Sequence, residues 1–453
     1  MLVAKNPFDE TVVREYLALE NEHIHQAIQA AHGAFPSWNA IGYSERAKVM
    51  RAVAAELRRQ KVSLAELMAI EMGKPIKEGG PEVEKAAGCA EYYADNAASF
   101  LKNEILQSDA SNSYVCYPPL GTLLGVLPWN APLWLAFRYL APALMAGNTC
   151  VLKHDPNVPG CAEAIAKVFE AVGAPANIVV NLPIVTADVE KAIRDPLISA
   201  ISFTGSAVAG AKVAAMAASE IKPSVLELGG SDPSIVMADA DLESAANAIT
   251  LSRVINAGQS CIAAKRILVE NAIYEQFVEM LRTRLAKLKM GNPLDVNTDI
   301  GPIARQDLQL NLHRQVQETV AAGAHCLLGG ELPNGPGYFY PPTLLAEVLP
   351  SMCAFREETF GPVMVVTRID NLDHGVKLAN DTEYGLAASI WMADLKLAEQ
   401  TAMKIEAGQV VINGIVKTDS RLPSGGIKRS GYGRELGPQG IREFVNTKQI
   451  WIK

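Results

Sequence analysis

One cysteine of this chain has a context that suits chemistry. Cys261 follows the small, glycine-containing turn Asn256-Ala257-Gly258-Gln259-Ser260, and the strand-like run Ile267-Leu268-Val269 comes soon after it. Substrate can reach a thiol at the end of a turn, whereas a thiol inside an apolar run is usually inaccessible. None of the other six cysteines has so open a setting. Cys261 is therefore a candidate nucleophile, and a small buried hydrophobe is the alternative interpretation.

Two polar side chains could assist a nucleophilic thiol. Glu227 lies in the apolar strand Val225-Leu226-Glu227-Leu228, which two glycines close. A carboxylate is costly to bury unless it is paired, so we expect its pKa to rise toward the range of a general base. A carboxylate satisfied by backbone donors is the alternative. Asn130, in the turn Pro128-Trp129-Asn130, offers an amide donor that suits an oxyanion.

Three further features stand near strand ends. Phe203-Thr204-Gly205-Ser206 follows a predicted strand and opens a helix, with Gly210 five residues after Gly205. Backbone N–H groups at a helix N-terminus favour a phosphate, and glycine permits its close approach. Lys153 ends another strand, where its ammonium could hold ribose hydroxyls. The alternatives are a plain tight turn for the glycine pair and a solvated lysine for Lys153. Glu358 is the third feature, and its alternative is a solvated loop charge.

Hydrophobic periodicity predicts the elements that position these residues. Apolar residues at three- and four-residue spacing indicate helices in the first hundred residues, with Ser44 and Ser63 as N-caps. From Gly121 to Ser234, apolar strands alternate with amphipathic helices, which predicts a parallel sheet covered on both faces. Such a sheet binds ligands at the carboxyl ends of its strands. The predicted helices are 24–34, 44–60, 63–71 and 81–101, and the strands are 123–127, 149–153, 178–182, 200–204 and 224–228.

Other segments complete an α/β fold class. A second α/β run extends from Leu242 to Asn413, and a strand is predicted at 448–452. The segment from Glu104 to Pro118 is polar and hairpin-like, without an obvious core face. A polar hairpin of this kind is often an arm that packs on another subunit.

Length and composition restrict the class of protein. At 453 residues, with 49% hydrophobic and 20% charged residues, the chain is expected to form two or three globular domains. A net charge of −8 argues against nucleic-acid binding. The cysteines form no disulfide or metal pattern, and the N-terminus has no secretory h-region, so we expect a cytoplasmic protein without a metal. The apolar stretch 121–147 contains three prolines and Arg138, so it is not expected to span a membrane.

The ordered motifs together resemble the aldehyde dehydrogenase family along nearly the whole chain. They are Pro128-Trp129-Asn130, Phe203-Thr204-Gly205-Ser206, Glu227-Leu228-Gly229-Gly230, Gly258-Gln259-Ser260-Cys261, Glu358-Thr359-Phe360-Gly361-Pro362 and Gly425-Gly426-Ile427-Lys428-Arg429-Ser430-Gly431. The resemblance implies a parallel-sheet, Rossmann-type cofactor domain at 1–101 and 120–229 and an α/β catalytic domain at 230–429. It also implies a small β oligomerisation element at 102–119 and 430–453, in a homodimer or homotetramer.

The resemblance also implies roles for individual residues. Cys261 would attack an aldehyde, Asn130 and the Cys261 N–H would hold the oxyanion, and Glu227 would activate the water that hydrolyses the thioester. Hydride would pass to NAD. The implied cofactor-binding residues are Trp129, Lys153, Gly205, Ser206, Gly210, Leu228, Gly229, Glu358 and Phe360.

Two positions depart from the family pattern. Many members carry an acidic residue three positions after the lysine that matches Lys153, and Pro156 stands there in this chain. Because no carboxylate at that place repels a 2′-phosphate, NADP is open as a cofactor as well as NAD. Ser424 stands where phenylalanine is usual, which widens one wall of the substrate region.

Arg138 bears on the identity of the aldehyde. It lies on the apolar helix that begins near Leu133, and an arginine there favours an anion. The chain resembles the short bacterial succinate-semialdehyde dehydrogenases, in which an arginine at this place binds the substrate carboxylate. Ser420 and Arg421 are predicted as further substrate contacts, Arg421 as a second cation. The alternative for Arg138 is a structural salt bridge. The alternative functions for the protein are a dehydrogenase of neutral aldehydes, a cofactor-free thiol hydrolase and a non-catalytic member of the fold.

Overall fold

The structure, a computed structural model, describes all residues from Met1 to Lys453. Four helices form most of the first hundred residues. Helix α2 has apolar residues at three- and four-residue spacing, and these are buried against α4, which in turn packs on α5. The bounds are α1 (Asn21–Ala40), α2 (Tyr43–Arg59), α3 (Lys61–Met72), α4 (Ile76–Phe100) and α5 (Pro132–Ala146).

The predicted helices are confirmed, but their starting points were wrong. Ser44 and Ser63 lie inside α2 and α3, whose N-caps are Gly42 and Gln60. Helix α4 begins at Ile76, five residues before the predicted Pro81. A proline near the start of a helix removes few backbone bonds, so α4 continues through Pro81.

A six-stranded sheet follows and carries the predicted nucleotide-binding features. All its neighbouring strands are parallel except the short strand β17 at one edge. The order is β17 (Gly431–Tyr432), β9 (Ser224–Glu227), β8 (Ile198–Thr204), β5 (Thr122–Leu127), β6 (Thr149–His154) and β7 (Val179–Asn181). Helices α6 (Pro159–Ala171), α7 (Val189–Arg194) and α8 (Ala207–Ser219) alternate with these strands. The predicted strands are confirmed to within two residues.

The register of this sheet aligns the candidate residues. Val126 lies opposite both Lys153 and Phe203, and Thr204 lies opposite Glu227. The turn that contains Asn130, the lysine and the glutamate therefore all emerge at the carboxyl edge of one sheet.

A seven-stranded sheet forms the second half of the chain. Only the edge strand β12 is antiparallel to its neighbour. The order is β12 (His325–Leu328), β13 (Thr343–Ala346), β14 (Val363–Ile369), β11 (Arg266–Glu270), β10 (Pro233–Val236), β15 (Ala387–Trp391) and β16 (Gln409–Ile412). The helices are α9 (Leu242–Val254), α10 (Tyr274–Leu285), α11 (Gln306–Ala321), α12 (Cys353–Arg356), α13 (Leu372–Asn380) and α14 (Leu395–Ala402), with α15 (Gly437–Arg442) near the C-terminus.

The connection between the two sheets brings the candidate residues together. Residues 228–232 join the end of β9 directly to the start of β10. The carboxyl edge of the first sheet therefore meets the amino edge of the second. Cys261 and Glu358 precede the neighbouring parallel strands β11 and β14, at that same amino edge.

Two small sheets lie apart from the main ones. The predicted hairpin and tail strand are confirmed, because β18 (Lys448–Ile452), β4 (Asn112–Cys116) and β3 (Glu104–Ile105) form one antiparallel sheet. Strand β17 comes from the same C-terminal segment but pairs with β9, so residues 430–453 contribute to two sheets. The N-terminal hairpin of β1 (Leu2–Lys5) and β2 (Val12–Tyr16) was not predicted. The three-part domain division stays a prediction.

The apolar stretch 121–147 contains the buried strand β5, a turn and the buried helix α5, as predicted. None of the helices of the chain combines the length and the apolar composition that are needed to cross a bilayer.

Candidate active site

The loop before Cys261 is built from strained backbone. Asn256, Ala257 and Gly258 have φ angles of 56°, 53° and 75°, in the left-handed region that side chains disfavour. Position 258 needs glycine, because an added Cβ would lie 2.3 Å from the carbonyl oxygen of Gly361. Glu78 accepts the Asn256 N–H at 2.8 Å, and Arg253 Nη2 donates to the Gly258 oxygen at 2.6 Å. These contacts hold the loop in shape and set the direction of the thiol.

Cys261 is half-buried at the end of this loop. Burial raises the pKa of its thiol to about 11, while the charges of Lys265 and Arg138 act to lower that pKa and those of Glu358 and Glu227 act to raise it. The charges of these four side chains thus all act on this one thiol. The expectation that no other cysteine is as open was wrong, because Cys326 on the edge strand β12 is more exposed.

Asn130 ties the first sheet to the cysteine loop. Its Nδ2 donates to the carbonyl oxygen of Gln259 at 3.1 Å, and Asn256 Nδ2 donates to the Asn130 carbonyl oxygen at 2.8 Å. The backbone N–H of Cys261 donates to no other backbone group. The side-chain amide of Asn130 therefore lies against the loop that carries the N–H of Cys261, as an oxyanion site requires.

Glu227 is held by an arginine that also contacts a second carboxylate. Arg138 Nη2 lies 3.0 Å from Glu227 Oε2, and Arg138 Nε lies 2.5 Å from Glu435 Oε2. All three side chains are at most 5% exposed. Burial raises the pKa of Glu227 to about 7, although Arg138 opposes the rise. Glu227 Oε1 is buried and accepts no hydrogen bond, so it is free to accept one from a water molecule.

The predicted substrate residues have partners within the protein. Burial acts to lower the pKa of Arg138, but Glu435 and Glu227 outweigh it and raise that pKa. Ser424 is buried, with its Oγ 3.5 Å from Arg138 Nη2 and 3.2 Å from Gln409 Nε2. Arg421 contacts Asp419 through two nitrogens, at 2.8 and 2.6 Å, and its side chain is 75% exposed. Ser420 lies between these two residues and is half-buried.

The carboxyl edge of the first sheet offers groups that suit a dinucleotide. Lys153 is buried with no ion-pair partner, and burial lowers its pKa. Ser206 is exposed at the N-cap of α8, where its side chain accepts the Ala209 N–H at 3.3 Å. Gly205, just before this cap, lies beside the ring of Phe203. Gly210 has a packing role, since an added Cβ would lie 2.4 Å from Leu228 Cδ2.

The amino edge of the second sheet provides the other wall of the cleft. Glu358 Oε1 accepts the Gly230 N–H at 3.2 Å and lies 3.3 Å from Lys265 Nζ. Gly229 permits this approach, because an added Cβ would lie 2.2 Å from Glu358 Oε2. The rings of Trp129 and Phe360 meet edge to face with centroids 5.9 Å apart. An anionic group at the α8 N-terminus and ribose hydroxyls at Lys153 and Glu358 would fit these donors and acceptors.

Sequence reasoning missed three charged residues near the site, Glu435, Lys265 and Lys85. Glu435 lies near the C-terminus, and no local pattern relates it to Arg138. Lys265 is 1% exposed, and its Nζ donates to the carbonyl oxygens of Ser260 and Cys261 at 3.0 and 2.6 Å. Lys85 does carry a sequence signal, because it lies three residues after Glu82 and four before Cys89 on the buried face of α4.

Comparison with known proteins identifies the family. The aldehyde dehydrogenase family profile matches residues 2–450. The chain belongs to the aldehyde dehydrogenase family.

Individual relatives of this aldehyde dehydrogenase cover almost the whole chain. A probable NADP(+) succinate-semialdehyde dehydrogenase of Synechocystis is 44% identical over 447 residues, 99% of this chain and 98% of that protein. The NAD(P)+ succinate semialdehyde dehydrogenase Sad of Escherichia coli is 44% identical over 95% of this chain and 93% of its own. The crystal structure of succinic semialdehyde dehydrogenase from Streptococcus pyogenes, in complex with NADP+, superimposes with a TM-score of 0.97 at 33% identity, covering 100% of both chains. These likenesses confirm the predicted fold class and favour a dehydrogenase over a thiol hydrolase.

Proposed function

We propose that this aldehyde dehydrogenase oxidises succinate semialdehyde to succinate, with NADP or NAD as the hydride acceptor. Two sets of facts support the proposal. The relatives described above are named as succinate-semialdehyde dehydrogenases that use NADP or both cofactors. The site combines the half-buried thiol of Cys261 with the buried carboxylate of Glu227. Arg138 holds one oxygen of that carboxylate and the other is free, and this arrangement carries the proposal.

Cys261 is the proposed nucleophile. Its sulfur adds to the aldehyde carbon as a thiolate after the thiol proton has passed to solvent, and the charges of Lys265 and Arg138 favour that thiolate. The oxygen of the resulting thiohemiacetal takes the negative charge, and Asn130 Nδ2 and the Cys261 N–H donate to it. The bound dinucleotide supplies the hydride acceptor, held by Lys153, Ser206 and Glu358.

Glu227 is the proposed base for hydrolysis of the thioester. Arg138 fixes Oε2, which leaves Oε1 to accept a proton from water. With a pKa of about 7, Glu227 is partly ionised at neutral pH and can both take and release a proton there. Water adds to the thioester carbon, the carbon–sulfur bond breaks, and the acid leaves.

Arg138 remains a proposed contact for the carboxylate at the far end of the substrate, with Ser420 and Arg421 beside it. The Nη1 atom of Arg138 makes no hydrogen bond within the protein, so one edge of the guanidinium is available. The two carboxylates on its other atoms fix its orientation, which reduces the entropy lost on binding.

A neutral aldehyde is the second candidate substrate. Ser424 favours it, because serine leaves more room beside Arg138 than the phenylalanine usual in the family. Steady-state oxidation of succinate semialdehyde and of butanal by the wild-type enzyme separates the two candidates, since both have four carbons and only one carries a carboxylate. The proposal expects kcat/KM to be at least about tenfold higher for the semialdehyde, whereas equal values would favour the neutral substrate.

We infer that the sheet of β3, β4 and β18 mediates association into a dimer or tetramer. Its side chains include Ile105, Trp451 and Ile452, which are 79%, 45% and 46% exposed. Large apolar side chains exposed on a small sheet favour burial against a second copy. Light scattering tests this inference: Trp451→Glu should lower the molar mass of the particle, and an unchanged mass would count against it.

A further inference from the structure

A second, half-buried cation lies near Arg138 and has no carboxylate partner. Lys85, on α4, is half-buried, and its Nζ donates to Thr418 Oγ1 at 2.7 Å. The same Nζ lies 4.3 Å from the centroid of the Trp134 ring. No carboxylate oxygen lies within 4.0 Å of it. A half-buried ammonium without an anion is costly unless a ligand supplies one.

The structure fixes Lys85 firmly against α5. Glu82, three residues earlier on α4, accepts the N–H groups of Leu133 and Trp134 at 2.9 and 3.2 Å. Trp134 Nε1 donates to Thr418 Oγ1 at 3.1 Å, so this oxygen accepts bonds from both Lys85 and Trp134. The hydroxyl proton of Thr418 is then free to be donated to a third group, and an anion beside Lys85 is a suitable acceptor.

The charges around Arg138 show why this one cation is insufficient to bind a substrate carboxylate. Two carboxylates contact its single positive charge, so this buried cluster carries a negative charge when both are ionised. A second cation is therefore needed to offset this charge when a substrate carboxylate binds beside Arg138. Arg421 offers little compensation, because it contacts Asp419 and is largely exposed. Lys85 is the nearby cation that no protein anion neutralises.

We propose that Lys85, with the Thr418 hydroxyl, binds the carboxylate of the aldehyde substrate and thereby sets the preference for an anionic aldehyde. This inference rests on the proposed function and names the residues that give it specificity. Arg138 remains a contact for that carboxylate and also orients Glu227, while Lys85 adds a positive charge that no protein carboxylate offsets.

The spacing suits a short dicarboxylic semialdehyde. Trp134 and Arg138 lie on one face of α5, about one helical turn (5.4 Å) apart. Lys85 lies over Trp134, and Glu227 lies on Arg138. The distance from the reacting carbon to the carboxylate in a four-carbon chain is of the same order. In this proposal the carboxylate of the substrate lies at Lys85, and its aldehyde end lies toward Arg138 and Glu227.

The charge of Lys85 gives the preference a pH dependence. Burial, then the positive charge of Arg138 on α5, lowers the pKa of Lys85 to about 8, while Glu82 and Cys89 on its own helix and Asp419 on the facing loop oppose this. Lys85 is therefore charged below about pH 8 and loses its charge above it. The ratio of kcat/KM for succinate semialdehyde to that for butanal should fall as the pH rises through this range, because titrations of the shared catalytic groups cancel in the ratio.

The test uses Lys85→Met, which keeps an unbranched side chain one atom shorter and removes the charge. Lys85→Arg keeps the charge, and Lys48→Met removes a 67% exposed charge far from the site as a matched control. We expect Lys85→Met to raise KM for succinate semialdehyde about tenfold or more and to leave butanal turnover nearly unchanged. Lys85→Arg should recover part of the loss, and the pH dependence of the ratio should disappear in Lys85→Met.

Butanal turnover shows whether each variant is folded and active. If the wild-type enzyme prefers succinate semialdehyde and Lys85→Met keeps that preference, the assignment of Lys85 is wrong while the proposed function stands. A loss of preference in Arg421→Met but not in Lys85→Met would also overturn it, in favour of Arg421. If the wild-type enzyme shows no preference at all, the proposed function fails, and the role of Lys85 fails with it.

Discussion

Arg138 Nη2 lies 3.0 Å from Glu227 Oε2, and both side chains are almost completely buried. The contact joins α5 of the first sheet region to the carboxyl end of β9, and Glu435 completes it from the C-terminal segment. The buried arginine thus lies between two carboxylates and orients Glu227, the proposed base. Changes at each partner should have separable effects.

Arg138→Met should destabilise the protein and slow the oxidation of both aldehydes. Removing the shared cation leaves two buried carboxylates unpaired, which costs about 3–5 kcal/mol. Without the arginine, burial raises the pKa of Glu227 further above its value in the unfolded chain, so the loss of stability should grow as pH rises. Tm measured at pH 6 and pH 8 checks this. Arg51→Met, which removes an exposed ion pair with Asp95, is the control and should change Tm little. A loss confined to succinate semialdehyde would mean that Arg138 serves the substrate alone.

Glu435→Gln should move the activity profile to lower pH. As the proposed base, Glu227 would act only when it is ionised, and burial, with a contribution from the charge of Glu435, raises its pKa to about 7. Turnover limited by thioester hydrolysis should therefore rise with pH through about 7 in the wild-type enzyme. In the variant the midpoint should lie lower, because one negative neighbour is gone. Glu45→Gln on the surface of α2 is the control, and a midpoint that moves upward would contradict the assignment.

Lys265→Met should reduce the reactivity of the cysteine toward iodoacetamide. Burial raises the pKa of Cys261, and Lys265 is the strongest of the opposing influences. Loss of its charge should raise the thiol pKa further and slow alkylation several-fold at a fixed pH below 9. Lys265→Arg retains the charge and should stay closer to the wild-type rate. Equal alkylation in Lys265→Met would show that the lysine only supports the loop.

Much of this arrangement is readable from the sequence, because it follows from local patterns. Continuous apolar runs predicted the strands of the parallel sheet, and motifs at strand ends located Cys261, Glu227 and Asn130. The strands β1 and β13 have four residues each, which is too short for a period to be recognised. Partners distant in sequence were also invisible: Glu435 approaches Arg138 only after the C-terminal segment folds back. The predicted serine caps failed because tertiary packing, not local capping, sets where α2 and α3 begin.

Pro156→Glu should shift cofactor use toward NAD. The position lies in the turn after β6, three residues beyond Lys153, where a carboxylate would approach a ribose 2′-phosphate. Repulsion of like charges should lower kcat/KM with NADP about tenfold or more relative to NAD. Pro156→Gln separates the charge from the loss of the proline ring. An unchanged cofactor ratio would place the 2′-phosphate elsewhere.

Rapid mixing of the Glu227→Gln enzyme with succinate semialdehyde and NADP tests the roles of Cys261 and Glu227 most directly. If Cys261 forms the thioester and Glu227 activates the hydrolytic water, about one equivalent of reduced cofactor per active site should appear quickly, followed by very slow turnover. Cys261→Ala should give neither phase. Continued turnover of Glu227→Gln at the wild-type rate would contradict the division of roles between the two residues.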